Sequence, residues 1–86
     1  MFYVLYSLQA LRFLRDADVA LRKRIAKKIE ELRPTPALHD TKGIHGYREK
    51  LFRVRVGDYR ILYEIEHDQR RIGIVKIDKR PSVYDH

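Results

Sequence analysis

The sequence predicts an α+β domain in which two helices cover one face of a mostly antiparallel sheet and leave the other face open. Three observations predict it: a short apolar run at the start, two consecutive stretches with apolar residues at helical spacing, and a long alternating stretch reversed at Gly57-Asp58. Antiparallel sheets commonly solvate one side, so the order of elements and the charge pattern below agree.

Residues Phe2 to Tyr6 form an apolar and aromatic run without alternation, which reads as a first strand buried on both faces. Ser7 then offers an N-cap. Leu8, Leu11 and Leu14 recur at helical spacing with Ala10 beside them, giving a first helix to about Arg15, and Asp16 and Asp18 surround a break. From Val19 to Arg33 the residues Leu21, Ile25, Ile29 and Leu32 make one apolar stripe, with Lys23, Arg24, Lys27, Glu30 and Glu31 opposite. Pro34 and Pro36 stop that helix, because proline lacks a donor and disfavours a helical predecessor. The basic side of this second helix is most simply a solvated face, and it could also meet an acidic partner.

The stretch from Pro34 to Gly46 holds two prolines and two glycines, so it reads as a connection, long for a domain of this size. The next element carries its own register. Gly57-Asp58 is a two-residue hairpin turn in which Gly supplies positive φ. Val56 then pairs with Tyr59, Arg55 with Arg60, Val54 with Ile61, Arg53 with Leu62 and Phe52 with Tyr63. Phe52, Val54, Val56, Tyr59, Ile61 and Tyr63 share an apolar face, and Arg53, Arg55 and Arg60 share the other. His67 to Arg70 turns the chain into a last strand, Ile72 to Ile77, pairing Ile65 with Ile72 and Tyr63 with Ile74. Gly73 inside it marks a bulge or a close approach. The outcome is a strand, a helical hairpin and a three-stranded antiparallel meander.

At 86 residues, the sequence is expected to form one domain (1–86), burying roughly 60–65% of its unfolded surface in a modest core. A net charge of +7 points to a polyanionic partner, against the simpler reading of solubility. With no cysteine, disulfides and thiolate metal sites are excluded. No apolar run reaches the roughly 18 residues of a membrane span and no leader pattern is evident, so the expected location is the cytoplasm. The absence of Asn beside many Lys, Arg and Glu is a composition seen in heat-adapted proteins.

The three arginines are the candidate site. Arg55 directly opposite Arg60 places like charges across a ladder, which destabilises unless an anion lies between them. No carboxylate is expected in register with them, and Glu64 and Glu66 lie further along that face. A guanidinium fork suits phosphate, so the face reads as an anion site for a nucleic-acid backbone. The competing reading is an ordinary solvated strand face that discourages edge pairing. His39, His45, His67 and His86 show no ligand spacing, and no metal site or cofactor is expected. His45 or His86 could act as an acid or base if folded over the arginines.

The run from Gly46 to Glu64, followed by Val75 to Arg80 and Val83-Tyr84, resembles the RelE/ParE superfamily of toxin–antitoxin toxins over nearly the whole chain, and within it the RelE branch. The resemblance implies a ribosome-dependent endoribonuclease that enters the ribosomal A site, cleaves messenger RNA and inhibits translation. It needs no metal, and 2′-hydroxyl attack leaves a 2′,3′-cyclic phosphate. Carried over by position, it assigns Arg53, Arg55, Arg60, Arg80 and Tyr84 to the catalytic cluster and Arg48 and Lys50 to RNA binding. Implied partners are a cognate RelB-like antitoxin, the ribosome and mRNA, with no membrane and no small-molecule cofactor. Two departures stand out: several relatives have lysines where Arg53 and Arg55 stand, and only two residues follow Tyr84. A ParE-like inhibitor of DNA gyrase and a non-catalytic RNA- or ribosome-binding module are the alternatives.

Overall fold

The computed structural model describes residues 1–36, 42–44 and 51–79, the middle segment by its backbone alone. The elements are β1 (Tyr3–Tyr6), α1 (Leu8–Asp16), α2 (Val19–Leu32), β2 (Lys42–Ile44), β3 (Leu51–Val56), β4 (Tyr59–Glu66) and β5 (Arg71–Lys79). One sheet holds all five strands in the order β1-β5-β4-β3-β2, with β1 parallel to β5 and the other pairs antiparallel.

Both helices begin as their sequences dictate. Ser7 Oγ accepts from Ala10 N at 3.1 Å and Asp18 Oδ1 from Leu21 N at 2.8 Å, each satisfying one of the donors a helix start leaves open. The Arg22 guanidinium donates to the carbonyls of Leu14 and Ala17, which ties the end of α1 to the start of α2. Ile25, Ile29 and Leu32 of α2 are buried against Val54, Val56, Ile61, Tyr63, Ile72, Ile74 and Ile77 of the sheet. Apart from Ile77, those sheet positions are the inward set that period-2 alternation selects.

The hairpin register is the predicted one in all five pairs, from Phe52↔Tyr63 to Val56↔Tyr59. Gly57 has φ +59 and Asp58 does not share it, so the turn has glycine in the first central position, the II′ arrangement. Ile65↔Ile72 and Tyr63↔Ile74 also pair as predicted. Gly73 is a site of close approach: a Cβ there would lie 3.2 Å from Glu64 Cγ across the ladder.

Three expectations need correction. The first strand is not buried on both faces: Tyr3, Leu5 and Tyr6 are exposed, because β1 is an edge strand and only one of its faces meets the helices. Leu8 and Leu11 likewise face outward, and α1 buries Ala10 with Phe13 and Leu14 partly covered. The segment read wholly as a connection contains β2, which pairs Lys42↔Arg53, Gly43↔Phe52 and Ile44↔Leu51 and so extends the meander to four strands. Three residues between glycines and prolines show no alternation of their own, and the open edge of β3 supplies their pairing.

Candidate nucleic-acid interface

β3 alternates Val54 and Val56 inward with Arg53 and Arg55 outward, and both arginines are exposed. Among the described residues neither takes part in an ion pair or hydrogen bond. Arg55 sits directly opposite Arg60, as its register required. The face is therefore basic, but the trio is not uniformly unneutralised.

Arg60 Nε and Nη2 donate to Oδ1 and Oδ2 of Asp78 at 2.7 and 3.2 Å, a bidentate pair in which both side chains are about a quarter exposed. This corrects the expectation that no carboxylate stands in register. Asp78 is the direct ladder partner of Arg60, and Lys76 Nζ lies 3.6 Å from the same carboxylate. The cause is a bulge. Tyr63 pairs with Ile74 but Leu62 pairs with Lys76, so Val75 is an extra residue in β5. An unbulged ladder would have placed Ile77 opposite Arg60 and turned Lys76 toward the core. The signal was present in the sequence: Ile72 and Ile74 are two apart, whereas Ile74 and Ile77 are three apart, and all three are buried.

The bulge is held from the helix side. Gln9 donates from Nε2 to Ile77 O at 2.7 Å and accepts from Ile77 N at 2.9 Å, and Ser7 Oγ donates to Val75 O at 2.7 Å. These side chains replace the strand partner that β1 no longer provides beyond Tyr6↔Ile74. The site thus has two kinds of arginine: exposed Arg53 and Arg55, and Arg60 locked in plane by Asp78. Arg48, Lys50, Arg80 and Tyr84, as well as His39, His45 and His86, lie outside the described residues. Among the described residues no cluster of His, Asp or Glu could hold a metal ion.

The sequence matches, over residues 4–84, the family model described as the ParE toxin of type II toxin–antitoxin systems, parDE. The chain belongs to the RelE/ParE family of type II toxin–antitoxin toxins. This RelE/ParE toxin is 33% identical to Toxin RelE3 of Methanocaldococcus jannaschii, with 96% of each chain covered. Its fold is similar to RelE in the archaeal RelE–RelB complex from Pyrococcus horikoshii, with a TM-score of 0.83 and 24% identity over 95% of this chain and 98% of that one. The isolated E. coli RelE toxin gives a TM-score of 0.83 at 17% identity, covering 95% of this chain and 87% of that one. In the RelB–RelE antitoxin–toxin complex from Methanococcus jannaschii the values are 0.69 and 32%, over 95% and 96%. The two helices on one side of the sheet are thus the RelE architecture.

Proposed function

We propose that this RelE/ParE toxin is a ribosome-dependent endoribonuclease that cuts messenger RNA and thereby blocks translation. The observation carrying this reading is the pair Arg53 and Arg55, exposed on one face of β3 without an ion pair, beside an Arg60 whose guanidinium is oriented by Asp78. Attack of a 2′-hydroxyl on the adjacent phosphorus forms the new P–O bond, expels the 5′-oxygen and leaves a 2′,3′-cyclic phosphate. Negative charge builds on the phosphoryl oxygens, and donors already in place around them lower the barrier. Arg55 and Arg60 grip the scissile phosphate, with Arg53 or Arg80 beside the leaving oxygen. Arginine remains protonated at working pH, so these side chains serve as electrostatic clamps and not as bases. Tyr84 orients the 2′-hydroxyl or stacks on a base, and Arg48 and Lys50 extend the RNA contact. Part of the acceleration comes from fixing the RNA in line on the ribosome. The toxin acts in the cytoplasm and is neutralised by a RelB-like antitoxin.

Toeprinting of a translated message tests this. New cuts appear with the wild type and fall by about 10²–10³-fold with Arg55→Ala, the loss expected for one preorganised charge-stabilising donor. A translating extract that shows no cuts with active wild-type protein removes the reading. Because the matching family model carries the ParE description, DNA gyrase inhibition is the second reading, and a supercoiling assay separates it from the first.

A further inference from the structure

We infer that Gln9, on the helix side of the sheet, is a positioning residue for the arginine site on the opposite face: its amide sets the peptide plane that aims Asp78 at Arg60. The effect on cleavage rate rests on the nuclease reading. The effect on Arg60 rests on geometry alone.

The Gln9 amide holds both backbone groups of a single residue. Nε2 donates to Ile77 O at 2.7 Å and Oε1 accepts from Ile77 N at 2.9 Å. A backbone N–H can only donate and a carbonyl can only accept, so these contacts also fix which end of the amide is oxygen. The side chain stands in for a residue of a further strand, beside β5 at a point where β1 has already ended at Tyr6↔Ile74.

The first of these bonds reaches the site through covalent structure. Ile77 C=O and Asp78 N–H belong to one rigid peptide unit, so a donor that holds the oxygen fixes the plane from which Asp78 leaves the strand. Asp78 then carries its carboxylate to Arg60 Nε and Nη2 at 2.7 and 3.2 Å. The bulge makes such a hold necessary. With Val75 as an extra residue the ladder beside it is disrupted, and the other helix-side support, Ser7 Oγ on Val75 O, acts two residues before Ile77. Gln9 is the support adjoining Asp78.

Burial separates this role from packing. Ile77 is fully buried whereas Gln9 is exposed, so the core holds the Ile77 side chain whatever stands at position 9, and the tilt of its carbonyl is left to the amide. Gln9 is also the second residue of α1, where the helix dipole favours a negative charge. Gln9→Glu therefore removes one donor at a position that accommodates the new carboxylate.

The experiment uses the whole chain with Gln9→Ala, Gln9→Glu, Asp78→Asn and the Gln9→Ala, Asp78→Asn double variant, at a temperature below every melting transition. Single-turnover cleavage of a ribosome-bound message at saturating toxin falls about 5–10-fold in both Gln9 variants, while the half-saturating toxin concentration is unchanged. The double variant cuts no more slowly than Asp78→Asn, because both changes act through one carboxylate. In NMR of the free protein, the Arg60 Nε–Hε signal of both Gln9 variants moves toward its position in Asp78→Asn. Losses that multiply in the double variant overturn the inference, and so does an Arg60 signal that stays where the wild type has it. If the wild type cuts no message, the nuclease reading fails and the Arg60 signal alone decides the role of Gln9.

Discussion

Arg60 and Asp78 face each other directly across β4 and β5 and are joined by two hydrogen bonds, of 2.7 and 3.2 Å. The carboxylate takes part of the charge that the opposing Arg55 would otherwise meet, so the Arg55↔Arg60 register becomes tolerable without a bound anion. It also fixes the plane of one guanidinium at the site.

Removing the carboxylate therefore has two consequences. Asp78→Asn lowers stability by about 1–2 kcal/mol, the scale of a charge-assisted bond in a partly exposed place. It also lowers message cleavage by roughly 10–100-fold through loss of positioning. A double-mutant cycle with Arg60→Gln, followed by urea unfolding, yields a coupling energy; a value near zero would show that the pair orients nothing.

Deleting Val75 removes the bulge. Because Val75 is the extra residue, Lys76 then follows Ile74 directly, and Leu62↔Lys76, Ile61↔Ile77 and Arg60↔Asp78 all keep their register. What is lost is the hydrogen bond from Ser7 Oγ to the Val75 carbonyl, about 0.5–1.5 kcal/mol. Val75→Ala, which keeps that carbonyl at an exposed position, costs little. Urea midpoints of the two variants check this, and a loss above about 3 kcal/mol on deletion, the cost of emptying a large buried site, would contradict the register argument.

Gly57 combines φ +59 with the approach of Arg24. Gly57→Ala destabilises by roughly 1–2 kcal/mol through the left-handed backbone penalty, and the flexible Arg24 side chain swings aside. Denaturant midpoints for Gly57→Ala with and without Arg24→Gln separate the two causes. The larger part persists when Arg24 is gone.

Tyr63 is fully buried and its hydroxyl donates to the Pro36 carbonyl at 2.6 Å. This bond anchors the chain just after α2 to the centre of the sheet. Tyr63→Phe leaves that carbonyl without its partner and costs about 1–3 kcal/mol in urea unfolding.

The Tyr6 phenol is held above its ordinary value of 10.0, first by partial burial and then by Glu30, with Arg33 opposing. The folded chain thus keeps this proton more tightly than the unfolded chain. Its contribution to stability is present below pH 10 and is lost as pH rises through the folded value. Unfolding measured on both sides of pH 10 shows a steeper alkaline decline for the wild type than for Tyr6→Phe, and parallel curves would refute it.

Local signals settled much of this protein. Ser7 and Asp18 start the helices, Pro34 ends the second, and Gly57-Asp58 with its alternating flanks fixes which side of the sheet Arg53, Arg55 and Arg60 occupy, because each signal acts within a few residues of chain. The tertiary structure decided what depends on distant neighbours. Tyr3, Leu5, Leu8 and Leu11 look like core residues, yet they are exposed because β1 lies at the sheet edge and has helices on one side only. β2 exists because β3 had an edge to fill. Asp78 reaches Arg60 only because one extra residue, pinned by Gln9 and Ser7 from sixty-eight positions away, shifts the ladder. Alternation tells which face a side chain takes; which partner meets it there is set by the register between strands, and a single bulge resets that.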